Sequence, residues 1–122
     1  MKRLIFILSI ATLFTASAFK PVEVEQVLPT ALRVTVLDNL GNVVENAKVT
    51  LFGNSGDYEN GENAVAGPSF SDSKGRVTFK GLEPKAYYVE VKKGEMSNYG
   101  EAEKTNVLAK GKTNKVNIII AE

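Results

Sequence analysis

After residue 30 the chain alternates apolar and polar positions with a period of two, and no stretch carries apolar residues at helical spacing over three turns. Ala31 to Leu37 sets Leu32, Val34 and Val36 on one side and Arg33 and Thr35 on the other. The same pattern returns in Ala47 to Phe52 (Val49, Leu51), Arg76 to Lys80 (Val77, Phe79), Ala86 to Lys93 (Tyr87, Val89, Val91) and Thr113 to Ala121 (Val116, Ile118, Ile120). Such alternation buries one side of a strand and wets the other. Phe70-Ser71 predicts a short strand, and Tyr99 to Leu108 a weaker one interrupted by Glu101, Glu103 and Lys104.

The turns between these runs are equally legible. Asp38-Asn39-Leu40-Gly41 and Asp72-Ser73-Lys74-Gly75 repeat one device: an Asp that bonds its own downstream backbone, then a Gly free to take positive φ. Gly53 to Ser69 has four Gly, one Pro and several Asn, and predicts a long loop. Seven strands joined by such turns predict an all-β, seven-stranded antiparallel Greek-key sandwich.

The first thirty residues differ. Met1-Lys2-Arg3 is positive, Leu4 to Thr15 is mostly apolar, and Ala16-Ser17-Ala18 has the small-x-small pattern of a cleavage site. Residues 1–18 therefore predict a secretory signal peptide cut between Ala18 and Phe19. The apolar stretch is short of the roughly 20 residues that span a bilayer, so no membrane anchor is expected after cleavage. Residues 19–30 are a lead-in or edge strand bracketed by Pro21 and Pro29, and residues 31–122 form the domain.

Composition narrows the chemistry. Loss of Lys2 and Arg3 with the signal takes the formal net charge from +1 to −1, which argues against nucleic acid as a partner. There is no Cys and no His, so disulfides, thiolate chemistry, the commonest general base and the commonest metal ligand are all missing. A Ser-His-Asp triad cannot form. The oxygen-rich segment Asn54 to Asn63 does not match the spacing of a calcium loop, so neither a metal nor another cofactor is expected.

The residues that set the turns also carry a resemblance. Asp38-x-x-Gly41-x-Val43-Val44-x-x-Ala47-x-Val49-x-Leu51, then Ser71-Asp72-x-x-Gly75-x-Val77-x-Phe79-x-Gly81-Leu82, then Tyr88-x-Glu90-Val91 resemble the carboxypeptidase regulatory-like domains. These belong to a transthyretin-like, or prealbumin-like, group that includes the collagen-adhesin B-type modules. The resemblance covers Leu32 to Ile120 and implies a seven-stranded sandwich in an exported protein, commonly a non-catalytic module for structure, adhesion or carbohydrate association. The chain departs from the pattern at Lys85-Ala86, where a Gly is usual. The group's His-dependent enzymes are excluded by the absence of His. The Lys–Asn isopeptide bond of many adhesin modules is not expected, because Arg33 stands where a Lys is wanted and Lys48, Glu90 and Asn117 alternate outward.

Two functions follow as expectations. One is a periplasmic or secreted, non-catalytic module for structure or protein–protein interaction at the bacterial cell envelope, its partner an envelope or extracellular protein. The alternative is a small carbohydrate-binding module using the 53–69 loop, in which Tyr58 stacks on a sugar while Asn54, Asp57 and Asn60 orient hydroxyls. Tyr58 and Tyr99 together beside a groove favour the second, and scattered aromatics favour the first.

Overall fold

The computed structural model describes residues 28–122. The signal peptide, the cleavage point and the edge strand that the sequence leads one to expect lie outside the described residues. Seven strands are present among them: β1 (Ala31–Asp38), β2 (Lys48–Phe52), β3 (Ala66–Phe70), β4 (Arg76–Phe79), β5 (Tyr88–Lys93), β6 (Met96–Ser97) and β7 (Thr113–Ile120). They form a three-stranded sheet ordered β4-β1-β7 and a four-stranded sheet ordered β3-β2-β5-β6. All pairs are antiparallel except the first and last strands, which run parallel from Ala31 beside Thr113 to Asp38 beside Ile120.

The residues of the inward register form one core. Leu32, Val34, Val36, Val77, Phe79, Ile118 and Ile120 come from the first sheet, and Val49, Leu51, Val89 and Val91 from the second. Val116 packs on the edge of this cluster. Tyr87 is buried just before β5, and its hydroxyl both accepts from Glu83 N (3.0 Å) and donates to Glu83 O (3.1 Å), so the phenol enters the core with its polar end satisfied.

Three sequence expectations are corrected. The 53–69 segment is not one loop: a six-residue helix, α1 (Ser55–Asn60), opens it and β3 closes it. The helix is too short for a hydrophobic period, and its ends are made by local chemistry. Asn54 caps it by accepting from Asp57 N at 2.8 Å, and Gly61 ends it in the left-handed conformation at φ 67°. The strand expected at Phe70-Ser71 ends at Phe70, because β3 runs back to Ala66 along the edge of β2, where the ladder shifts register between Val49 and Leu51. Pro68 is tolerated there because β3 is an edge strand. Finally, Tyr99 to Leu108 is not a strand; residues 103–105 bond to the start of β5 and the residue before it, through Val89 N to Glu103 O and Thr105 N to Tyr87 O, both 2.8 Å.

The twin turns take the form expected of them. Asp38 Oδ1 accepts from Leu40 N and Asn42 N, both at 2.9 Å, and Asp72 Oδ1 accepts from Lys74 N (2.9 Å) and Arg76 N (3.0 Å). These N–H donors favour the ionised carboxyl, and both groups are held below the usual carboxylate range. The turns' contribution is therefore full above the unfolded carboxyl's pKa of about 3.9 and is lost as pH falls through the lower native values. The melting temperature should fall as the medium drops below about pH 4. An Asp38→Asn/Asp72→Asn variant still accepts the N–H bonds but does not titrate, and should show a flatter fall in the same acid melts.

Gly75 has φ 76°, and an added Cβ would meet Val36 O at 2.8 Å and Val43 Cβ at 3.0 Å. Gly75→Ala thus combines a left-handed conformation costing about 1–2 kcal/mol with a clash against β1 backbone. Thermal melts should show the variant clearly less stable than the parent.

Candidate functional site

The outer face of the four-stranded sheet breaks strict alternation. Phe52 is buried although it points away from the core, because α1 lies over β2 and β5. Tyr58 of α1 meets Phe52 edge-on with ring centroids 6.0 Å apart, and meets Tyr88 at 5.7 Å. Lys104 Nζ stands 5.6 Å from the Tyr88 ring centroid, so the aromatic cluster ends in a cation–π contact.

A second device builds the neighbouring wall. β6 pairs with β5 only at Lys92–Ser97 and Lys93–Met96, and residues 103–105 cover the other end of the β5 edge. Asn98, 1% exposed, fills the gap with its side chain: Oδ1 accepts from Val91 N at 2.9 Å and Nδ2 donates to Val89 O at 2.8 Å. Both ladder groups are satisfied by an amide standing in for backbone. The next residues loop outward, tied by Glu101 N to Asn98 O (2.9 Å) and by Gly100 N donating to the Glu103 carboxylate. Tyr99, at the crest of this loop, is 80% exposed.

Between α1 and the crest lies a cleft of about 220 Å³ lined by Tyr58, Glu59, Glu90, Lys92, Ser97, Asn98 and Tyr99. Lys92 Nζ is 3.6 Å from Glu90 Oε2, an ion pair in the cleft. The Tyr58 hydroxyl is pushed up from its ordinary pKa, first by burial and then by the charge of Glu103. Beyond Tyr99 a second hollow, about 530 Å³, is lined by Ser97, Tyr99, Glu101, Ile119, Ala121 and Glu122. One exposed aromatic ring therefore divides two concavities.

Of the four loop residues singled out from the sequence, only Tyr58 reaches the cleft. Asn54 is the helix cap, and Asp57 Oδ2 accepts from Asn54 Nδ2 at 3.0 Å while its Oδ1 accepts from Asn63 Nδ2 at 3.3 Å. Asn60 is exposed at the end of α1. The polar residues that do line the cleft, Glu59, Glu90, Lys92, Ser97 and Asn98, come from α1, β5, β6 and the residue after β6 and share no local signal. Among the described residues no three acidic side chains converge to hold a metal ion.

The family is decided over nearly all of this folded region: residues 31–121 match the carboxypeptidase regulatory-like domain. The chain belongs to that family. No curated protein matches this regulatory-like domain closely enough to count as a relative. Among solved structures it is similar to BcpA, the major pilin subunit of Bacillus cereus, with TM-score 0.52 and 16% identity over 76% of this chain. A single-substitution variant of the same pilin gives TM-score 0.51 and 18% identity over 78% of this chain. The regulatory-like domain spans 30% of the length of either pilin chain, and the likeness is one of fold. A Pseudomonas aeruginosa protein whose given name proposes carbohydrate binding overlaps at TM-score 0.43 and 14% identity, over 78% of this chain and 90% of its own. That overlap is too loose to inform on function.

Proposed function

We propose that this regulatory-like domain is an exported, non-catalytic binding module of the bacterial cell envelope, and that its cleft between Tyr58 and Tyr99 takes a carbohydrate. The observation that carries the reading is the meeting of those two tyrosines at one cleft. Tyr99 offers an exposed ring for a sugar face, and Tyr58 supplies a floor already packed on Phe52 and Tyr88. Glu59, Glu90 and Lys92 offer acceptors and a donor around them. A groove with a fixed aromatic and a few convergent polar groups is the common form of a small-ligand site. Export is supported by the signal-like pattern of residues 1–18, and the absence of His and Cys supports a non-catalytic role.

A protein-docking, structural role is the second reading. It is favoured by the fold likeness to a major pilin subunit.

The test is an array of uncharged bacterial surface oligosaccharides probed with the protein and with Tyr99→Ala. Tyr99 is exposed, so its truncation should leave the stability within about 0.5 kcal/mol of the parent's. It should weaken glycan binding by roughly tenfold or more, the scale of one lost aromatic stacking contact. A parent that binds no glycan, or a Tyr99→Ala variant that binds as well as the parent, would favour the docking role instead.

A further inference from the structure

The outer face of the β4-β1-β7 sheet lies away from the cleft and has its own pattern. Register sorts its side chains into rows. One row reads Thr78, Arg33, Lys115, and the next reads Arg76, Thr35, Asn117. Arg33 Nε donates to Thr78 Oγ1 at 3.4 Å, which lays the guanidinium across the sheet. At one end, Lys80 follows β4 and Lys112 precedes β7, and both line a shallow hollow of about 370 Å³ with Leu28, Pro29, Ala31 and Thr113. Five cations from distant points of the sequence thus stand on one surface of a protein whose mature formal charge is −1.

No carboxylate interrupts either row. Asp38 and Asp72 sit at the turns beyond them with Oδ1 atoms bonded to backbone N–H groups, and Asp72 feels the charge of Arg76 without forming an ion pair with it. Among the described residues the one ion pair is Lys92–Glu90, on the other sheet. Gathering like charges without ion pairs raises their mutual repulsion, and an anion laid over them relieves it. The cations spread across three strands about 4.8 Å apart rather than converging on a point, which suits an extended anion better than a small one.

We infer that this face binds an acidic polysaccharide, with sugar carboxylates on Arg33, Arg76 and Lys115 and sugar hydroxyls on Thr35, Thr78 and Asn117. Arg33 and Arg76 present forked donors that match a carboxylate. A bilayer surface is the poorer occupant, because the two cationic rows carry no apolar side chain to enter it. The apolar Ile119, paired with Leu37, lies in the row beyond them.

The probe is polygalacturonate, immobilised beside neutral dextran and beside phosphatidylglycerol vesicles. The full exported protein should be retained by polygalacturonate at low salt and released at about 0.5 M salt, where exposed charges are screened. Dextran and vesicles should not retain it. Arg33→Gln/Arg76→Gln/Lys115→Gln should cut affinity roughly tenfold or more with an unchanged melting temperature. If the triple variant does not fold, the exposed Arg76→Gln and Lys115→Gln are measured singly, and each should weaken retention. Tyr99→Ala should not change it, so this face and the cleft stand or fall separately. The inference is overturned by absent retention at low salt, by a folded variant that binds like the parent, by loss of retention in Tyr99→Ala, or by tighter binding to vesicles than to the polymer.

Discussion

Phe79→Ala should cost about 3–5 kcal/mol of stability, the range for removing a large ring from a packed core. Phe79 is 6% exposed, lies opposite Leu32 in the β1–β4 ladder, and belongs to the core cluster between the sheets. A small domain has roughly 5–15 kcal/mol in all, so the variant should sit near the edge of unfolding at ordinary temperature. Lys80, one residue on, is exposed and should be near neutral as alanine. The pair tests register as well as burial, because a one-residue slip of β4 would exchange the two results. Urea titration of both variants decides it. A harmless Phe79→Ala beside a damaging Lys80→Ala would contradict the sheet described above.

Asn98→Ala should be the most costly polar substitution near the cleft. It leaves Val91 N and Val89 O, both inside the β5 edge, without the partners they have at 2.9 and 2.8 Å. Each orphaned buried group costs about 1–3 kcal/mol, so a loss of roughly 2–6 kcal/mol is expected. The loop that carries Tyr99 is anchored through the same residue, since Glu101 N bonds Asn98 O at 2.9 Å. The Val91 amide should therefore exchange with deuterium much faster in the variant than in the parent, while amides of the β1–β7 ladder slow or speed only with global stability. Asn117→Ala, exposed on the other sheet, is the control and should change neither measurement. An unaltered Val91 exchange rate would mean that the Asn98 side chain does not close the edge.

The parts of the fold legible in the sequence are those where one strand face is buried and nothing covers the other. β1, β4 and β7 meet that condition, and their inward residues follow from alternation alone. β2 meets it only on the core side: Phe52 is buried under α1, an element without a hydrophobic period. The signals for α1 were nevertheless local and present, in the Asn54 cap, the first-turn Asp57 and the terminal Gly61. β3 was not legible beyond its last residue, because Ala66-Gly67-Pro68 becomes a strand by pairing with β2 and not by propensity. The Tyr99 loop was missed because its organiser is a side chain, Asn98, replacing backbone in the ladder.

The candidate site divides along the same line. Tyr58 and Tyr99 could be picked out as aromatics in polar surroundings, but their meeting depends on α1 lying over β5. Asn54 and Asp57 looked like hydroxyl-orienting groups, whereas their atoms are spent on the helix end. The cations of the opposite face are isolated in sequence and come together only through the β1–β4 and β1–β7 registers.

The central claim is that the cleft beside Tyr99 is where this domain binds its ligand. It is tested most directly by two-dimensional nitrogen–proton NMR of the protein, titrated with an oligosaccharide found to bind on the array. The account predicts that the amides of Glu59, Glu90, Lys92, Asn98 and Tyr99 shift together and saturate with one dissociation constant, while those of Arg33, Thr78 and Asn117 stay in place. Shifts confined to the outer face of the β4-β1-β7 sheet, or spread over the 28–31 and 110–113 end of the sandwich with the Tyr99 region silent, would contradict it.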